Sequence, residues 1–513
     1  MMARRFSALA LLLALAPVAL APVALRAQAS AAASTPMSLS LNDALRLATG
    51  TSEQVALARA GEQRARGQQL QARSLLRPQV STTANWQKQL QNQFAAISKR
   101  ASKENPPATG GRDSTAGGDA TSSITRIFAS EYNFNLGLTA SQPIYTGGRA
   151  TATIRAARAG REAADIGIVS AQAQAQLDVT QAYYDALLAD RLLTISDSTL
   201  VQAERTLRQV QLTRSVGSTS EFELIRARVT RDNQRPSWLQ ARTARDLAYV
   251  RVRQLLNLDV DRPVTLTDSI VEAPLAPIAV STAPVTTVNI AAAEVLALDP
   301  AVQARVARAL ATSDTGSLTR APVRQALKGV EVAQQQLRAT RAQRLPSLAA
   351  TTNYQRLAYP TGVLPRSIAD FFPNWTVGIG LSYPIFTGGR VRGEILAAEA
   401  SVIEAQQRLR QTQEGAALDA RSSTAKLTEA EASWQASVGT AEQAQRAYEI
   451  AEVRFREGIS AQLELSETRV QLQQALANRA RAARDLQVAR KRLELLRDLP
   501  LSSGSTTPTS STP

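Results

Sequence analysis

The chain has 513 residues, a formal net charge of +16 and only 4% aromatic residues, and it contains neither cysteine nor histidine. Without these two residue types, disulfides, cysteine nucleophiles, Ser–His–Asp triads and imidazole or thiolate metal sites are excluded. The basic residues are spread along the chain among Asp and Glu, which disfavours a nucleic-acid partner. Catalysis by carboxylates alone is the remaining alternative, but no paired acidic motif lies outside the predicted helix surfaces. We therefore expect a protein that is not an enzyme, with no cofactor and no metal site.

The first segment, residues 1–29, has the three parts of a secretory signal peptide. Arg4 and Arg5 precede an apolar run from Phe6 to Leu25, and a small-x-small cleavage site follows at Ala27-Gln28-Ala29. A retained membrane anchor is the alternative, because the run is long enough to span a bilayer. Two prolines inside the run and the cleavage site favour removal. No later apolar stretch is long enough for a membrane helix, so any later span has to be a β-strand.

An internal repeat occupies most of the remaining chain. The segment Ser141-Gln-Pro-Ile-Tyr-Thr-Gly-Gly-Arg149 recurs as Ser382-Tyr-Pro-Ile-Phe-Thr-Gly-Gly-Arg390, and residues 217–229 recur at the same spacing as 458–470. Two matches at one spacing indicate that the residues between them form the same element twice. We predict a first repeat over 30–256, a linker or equatorial region over 257–288, a second repeat over 289–498 and a disordered tail over 499–513.

Each repeat is predicted to contain a helix, two strands, a long helix and a return helix. In the first repeat we expect strands at about 78–90 and 131–145, a long helix over 150–216 and a return helix over 220–256. In the second we expect strands at about 346–358 and 374–387, a long helix over 391–457 and a return helix over 461–498. Neither long helix contains a proline, and apolar residues recur at alternating three- and four-residue steps, which is typical of coiled-coil packing.

The four strands have the length and pattern of strands that cross a membrane. Each approaches the nine to eleven residues that a tilted membrane strand needs, and apolar residues alternate with small uncharged ones. Aromatic residues near the strand ends suggest an interfacial girdle. The predicted girdle residues are Trp86, Tyr132, Tyr354, Trp375 and Tyr383. A soluble sheet with one face on a core is the alternative.

Four strands alone cannot close a barrel, and an open edge in lipid leaves unpaired backbone groups. The chain would therefore have to share a barrel with other copies, and the strand count permits two, three or more.

Two sharp turns connect a strand to each long helix. Pro143 and Pro384 cannot continue a strand ladder, and the glycines that follow permit the bend into the helix. These glycines are Gly147, Gly148, Gly388 and Gly389. A phosphate-binding loop is excluded, because no Gly-Lys-Ser/Thr follows.

The duplicated Pro-x-x-Thr-Gly-Gly-Arg turn and the Gly-x5-Glu-Leu turn between the paired helices resemble the TolC family of outer-membrane efflux proteins. The second motif begins at Gly217 and Gly458 and includes Glu223 and Glu464. The resemblance implies a mainly α fold with transmembrane β: a homotrimer in which four strands per chain contribute to a twelve-stranded barrel above a long α-helical coiled-coil tunnel.

The same resemblance implies a passive exit duct of a tripartite efflux or type I secretion system, in the outer membrane and extending into the periplasm. Its implied partners are outer-membrane lipid, a periplasmic adaptor (membrane fusion) protein and an inner-membrane pump or ABC transporter. A periplasmic coiled-coil adaptor or scaffold without a pore is the alternative. Two helical hairpins and four membrane-length strands favour the duct.

A gate at the periplasmic tip is also implied, at the turns that contain Gly217 and Gly458. In some family members an acidic residue, an arginine and an aromatic residue hold this tip closed. The acidic position corresponds to Glu223 and the aromatic one to Phe455, whereas the arginine position corresponds to Ser460. Arg454 or Arg456 would then have to replace the arginine.

Overall fold

The structure is a computed structural model that describes residues 36–90, 132–270, 300–311, 318–360 and 371–501, together with residues 316, 363 and 365. The predicted signal peptide lies outside these residues, as do residues 271–288 of the predicted equatorial region and most of the predicted tail. Among the helices that are described, none combines the length and the apolar character needed to cross a bilayer.

The two repeats contribute matching sets of helices and strands. The first contains β1 (Met37–Leu39), α1 (Leu41–Thr51), α2 (Glu53–Ser74), β2 (Gln79–Lys88), β3 (Tyr132–Tyr145), α3 (Arg149–Ser215) and α4 (Glu221–Leu255). The strand β4 (Val264–Leu266) follows. The second contains α5 (Pro300–Ala311), α6 (Ala321–Arg341), β5 (Ser347–Ala358), β6 (Phe371–Ser382), α7 (Arg390–Arg456) and α8 (Gln462–Glu494). A 3₁₀ turn (Ala342–Arg344) joins α6 to β5.

Glycines set the limits of the two long helices. α3 and α7 each have 67 residues, which corresponds to about 100 Å at the rise of an α-helix. Gly148 and Gly389 precede them with φ of 85° and 86°, and Gly217 and Gly458 follow with φ of 80° and 72°. A side chain disfavours this left-handed conformation, so glycine is suited to begin and end these helices.

The shorter helices pack along α3 and α7 in two tiers. In the tier next to the four-stranded sheet the order is α2-α3-α6-α7, and in the distant tier it is α4-α3-α8-α7. α3 therefore has neighbours on both sides, and its buried face is rich in alanine, which permits close helix contact. α2 and α4 form one lateral edge of the chain, and α7 forms the other.

The four long strands form one antiparallel sheet in the order β2-β3-β5-β6. The register aligns the alternating patterns of all four strands. One row contains Thr82, Leu138, Tyr354 and Trp375, and the next contains Ser81, Thr139, Asn353 and Thr376. Most apolar residues of the four strands consequently share one face, and most small polar residues share the other. The main exceptions lie toward the end distant from the helices, where Arg356 is on the apolar face and Leu357 and Phe372 are on the polar one.

One strand differs from the prediction at both ends, and another continues past a proline that was expected to stop it. β6 begins at Phe371 and ends at Ser382, earlier than the predicted 374–387, and Pro373 lies within it opposite Arg356. β3 continues through Pro143 to Tyr145 with a register shift, so Pro143 does not end the ladder. Both prolines lie where the strand has a neighbour on one side only, because β6 is an edge strand and β2 pairs with β3 no further than Ser141. Proline is tolerated at such edges.

A small second sheet lies beside the middle of α3. β1 and β4 pair in parallel, and β4 falls in the described part of the predicted equatorial region. The buried Tyr183 hydroxyl donates to Asp268 Oδ2 at 2.8 Å. Burial and this carboxylate raise the pKa of Tyr183, so the hydroxyl remains a donor that fixes the sheet to the helix.

Candidate functional site

The two helical hairpins meet at their tips through one aromatic side chain. Phe455, near the end of α7, packs against a cluster of its own hairpin formed by Tyr448, Ala451, Leu465 and Leu472. It also packs against Leu207, Val210 and Ala227 of the first hairpin. The predicted aromatic tip residue therefore joins the two hairpins of one chain.

A salt bridge closes the second hairpin. Arg454 Nη1 lies 3.2 Å from Glu464 Oε1, across the turn that contains Gly458. The first hairpin has a comparable bridge at 3.3 Å between Arg214 and Glu221. Both bridges are half-exposed and each joins residues of the same hairpin, so we expect about 0.2–1 kcal/mol from each.

A polar contact also joins the two hairpins. Gln462, the first residue of α8, is 5% exposed. With its amide nitrogen turned toward α4, it donates to the Glu223 carboxylate and, at 3.2 Å, to the Glu223 backbone oxygen. Gln462 was not predicted from the sequence. Its position in the second repeat corresponds to that of Glu221 in the first. This difference between the two repeats is the sequence feature that could have identified it.

The predicted three-residue lock is thus only partly assembled within one chain. Arg454 pairs with Glu464 of its own hairpin, whereas Glu223 accepts from Gln462. Arg456 is exposed. Ser460 stays at the turn, where its backbone N–H donates to the Arg454 oxygen at 3.3 Å.

The two return helices begin differently. Ser220 caps α4, since its hydroxyl accepts from the Glu223 N–H at 3.3 Å. Ala461 holds the equivalent place before α8 and offers no side-chain cap. A serine cap typically stabilises a helix by about 1 kcal/mol relative to alanine. The turn at Gly458 therefore lacks one of the contacts that hold the turn at Gly217.

At the other end of the long helices, the two strand-to-helix turns have the same shape and different surroundings. Gly147 and Gly388 have φ of 63° and 58°. A Cβ on Gly147 would lie 2.7 Å from Leu345 Cβ, whereas none of the described atoms lies within 4 Å of one on Gly388. The second turn follows the edge strand β6, which leaves it open.

A cavity of about 600 Å³ lies at the first of these junctions. Its polar lining includes Gln79, Ser141, Thr146, Arg149, Ser347 and Ser382. Several of these residues continue the polar face of the sheet toward the helices. Apolar residues, among them Leu75, Tyr145, Leu348 and Leu381, form the rest of the lining, so the cavity where the sheet meets the long helices has a mixed surface.

The predicted girdle residues lie at three levels along the strands, and only some of them are at strand ends. Trp86 stacks on Tyr132 with ring centroids 6.0 Å apart, at the sheet end distant from the helices. Tyr354 and Trp375 lie opposite one another within the sheet, four residues nearer the helices than Trp86. They are not at a strand end, since β6 begins before its predicted start, at Phe371. Tyr383 follows the last residue of β6. Phe371 occupies the distant end of that strand, and sequence reasoning missed it because Pro373 interrupts the pattern.

The apolar face of the sheet is exposed in the single chain. Trp375, Val377, Ile379 and Leu381 are each 70–73% exposed. A contiguous apolar surface of this kind marks a face that meets lipid or another protein.

The model of the outer membrane efflux protein family matches residues 44–258 and 317–497. The chain belongs to this family. The match covers both repeats, including the hairpin tips and both strand-to-helix turns. No curated protein is similar enough to this chain to match it.

Solved structures of outer membrane channels share the fold, among them the following three. The CmeC outer membrane channel of Campylobacter jejuni is 16% identical, with 89% of this chain and 85% of that chain covered and a TM-score of 0.65. The open state of the Neisseria gonorrhoeae MtrE outer membrane channel is 17% identical, with 91% of each chain covered and a TM-score of 0.66. The outer membrane protein VceC of Vibrio cholerae is 17% identical, with 89% and 95% covered and a TM-score of 0.63.

Family and fold together confirm the expected fold class, mainly α with a TolC-like tandem repeat. The family identifies the chain as an outer-membrane efflux channel that extends into the periplasm, and the predicted function and location are confirmed at that level.

Proposed function

We propose that three copies of this chain close into one passive exit duct, with twelve strands in the outer membrane and a helical tunnel below them. An inner-membrane pump or ABC transporter supplies the energy, and a periplasmic adaptor protein contacts the hairpin tips. Solutes then pass through the duct by diffusion, and no side chain performs covalent chemistry.

The observation that carries this proposal is the pair of unpaired sheet edges. β2 and β6 have 10 and 12 residues, and each has a strand neighbour on one side only within the described chain. In lipid each unpaired backbone group costs several kcal/mol. Pairing β2 of one copy with β6 of the next satisfies both edges, and three copies give the twelve strands implied by the TolC resemblance.

The helices support the same closure. β2, α2 and α4 lie along one side of the chain, which we name the first edge, and β6 and α7 along the other, the second edge. Large apolar side chains remain exposed on both edges. On the first edge they include Leu57, Leu70, Phe222, Val229 and Leu239, and on the second Leu396, Ile403, Leu418 and Ile450. If the first edge of each copy packs against the second edge of the next, the copies form a closed ring when the rotation between neighbours divides a full turn.

The faces of the sheet support a wet lumen. The apolar face, with its aromatic residues, would contact lipid, and the polar face would line the lumen. The glycine turns at Gly147, Gly148, Gly388 and Gly389 would then mark the change from barrel to tunnel. The hairpin tips, with Arg454, Phe455 and the acids Glu223 and Glu464, would form the gate at the far end.

A cysteine panel tests the shared wall, because the natural chain has no cysteine. Ser81 and Thr376 lie in one row but three strand spacings apart, about 14 Å. A disulfide cannot span this distance, so a bond between cysteines at these positions has to join two chains. Cysteine at Thr376 is combined in turn with cysteine at Gln79, Ser81, Thr83 or Asn85, which samples the polar-face register.

We expect at least one pair to give covalent trimers on non-reducing gels. The matched control, Thr139→Cys with Asn353→Cys, joins neighbouring strands of one chain and should remain a monomer. A panel that stays monomeric throughout contradicts the shared wall, and a ladder that continues beyond three contradicts the trimer. Conductance of the purified protein in planar bilayers separates a duct from a pore-less periplasmic adaptor, which would conduct nothing.

A further inference from the structure

One arginine inside the hairpin tips forms no salt bridge with any carboxylate of the described residues. Arg469 of α8 is 4% exposed, and its Nε has no hydrogen-bond partner among the described residues. Burial lowers the pKa of Arg469, and the Tyr448 hydroxyl is the group that opposes this effect. The guanidinium nevertheless remains charged, because arginine does not deprotonate in proteins.

Another buried arginine shows how this chain normally satisfies such a charge. Arg320 is fully buried and donates to Asp419 Oδ2 at 2.7 Å and to the backbone oxygens of Leu496 and Ala416 at 3.1 and 2.9 Å. The acidic residues near Arg469 at the tip have other partners. Glu223 accepts from Gln462, and Glu464 pairs with Arg454.

A small cavity adjoins Arg469. It lies between α3, α4 and α8, and its lining includes Thr206, Thr230 and Ser466 as well as Arg469. The Thr206 and Thr230 hydroxyls already donate to backbone oxygens of their own helices, at 3.0 and 2.8 Å. Space for the centre of a water-sized sphere amounts to about 10 Å³, which is about the room that one water molecule needs and far less than a polyatomic anion needs.

We propose that this cavity binds one monatomic anion, such as chloride, as the counter-ion of Arg469. A buried charge is stabilised by an opposite charge, which water cannot supply. Phosphate and sulfate are too large for the space, and the burial of Arg469 keeps a carboxylate of a partner protein away. Because its walls come from both hairpins, the bound anion ties α8 to α3 and α4. The site lies within one chain and does not depend on the trimer proposed above.

Bromide locates the site directly. Crystals of the full-length protein grown with sodium bromide as the only halide should show an anomalous peak in the cavity, in contact with Arg469. The peak should be lost in Arg469→Met, which removes the charge, and in Ala227→Val, which narrows the cavity and keeps the charge. Wild-type crystals without a peak at this position overturn the proposal, and so does a peak that persists in Arg469→Met.

A solution measurement gives a second readout. When chloride replaces gluconate at constant ionic strength, the thermal unfolding midpoint of the wild-type protein should rise saturably by roughly 2–4 °C. Arg469→Met should not respond. Arg481→Met, at an exposed position of the same helix, should respond like the wild type. An equal rise in all three proteins indicates a general salt effect and overturns the site.

Discussion

The contact between Gln462 and Glu223 gives the sharpest test of the tip as a gate. It is a polar link between the two hairpins of one chain, whereas the salt bridges of Arg214 and Arg454 each lie within a hairpin. If the gate opens by separating the hairpins, removing this contact should favour the open state. The substitution Gln462→Met removes the donor and keeps an unbranched side chain of similar volume in a buried position.

The size of the effect follows from the contact. A hydrogen bond to a charged group contributes about 1.5–3 kcal/mol, but water can reach the half-buried Glu223 and replace part of this, so we take about 0.5–1 kcal/mol per chain. If the three chains open together, their contributions to the free energy of opening sum to about 1.5–3 kcal/mol. This corresponds to a ~10–150-fold larger ratio of open to closed channels.

Single-channel recording in planar bilayers measures this ratio as open and closed dwell times. The internal repeat supplies the control, because Glu221 holds the same place in the first hairpin and pairs only within it. Glu221→Met should change the ratio less than about 2-fold, because its salt bridge joins the two arms of one hairpin and is not broken when the hairpins separate. The reasoning is refuted if Gln462→Met gates like the wild type, or if Glu221→Met opens the channel as much.

Two further predictions concern stability. Asp419→Leu should lower the free energy of unfolding by about 3–5 kcal/mol, because it leaves Arg320 buried without a carboxylate. Urea unfolding monitored by tryptophan fluorescence measures this change. The double variant Arg320→Met/Asp419→Leu should be more stable than Asp419→Leu alone, and equal or lower stability would contradict the explanation. Gly388→Ala should lower the free energy of unfolding by about 1–2 kcal/mol, because the backbone at this position is left-handed and disfavours a side chain. Gly147→Ala should cost more, because its Cβ also meets Leu345; equal unfolding midpoints would show that a neighbouring chain packs against Gly388.

The long helices and the faces of the sheet were predictable because local rules determine them. A proline-free stretch between glycines predicted a helix over 150–216, and the structure has it at Arg149–Ser215. Strict alternation predicted which strand residues share a face, and the register joins these faces across all four strands. Neither result depends on how distant segments pack.

The contacts at the tip depend on packing and were not predictable in the same way. The rotation of α8 against α4 decides that Gln462 reaches Glu223, and no periodicity in one helix encodes it. Arg320 was missed for a related reason. An arginine before a helix suggests a solvated position, yet α7 and the chain after α8 enclose it. The beginning of β6 at Phe371 was missed because Pro373 suggests a loop unless the strand is known to be the edge of the sheet within one chain.

The first and second edges differ from one another, and this has a genetic consequence. If rings form by joining unlike edges, a subunit with one damaged edge can still bind its neighbour through the intact one. It would enter mixed rings and prevent them from closing. Alleles that alter β6 or α7 alone should therefore be dominant when expressed beside the normal gene, whereas alleles that unfold the whole chain should be recessive.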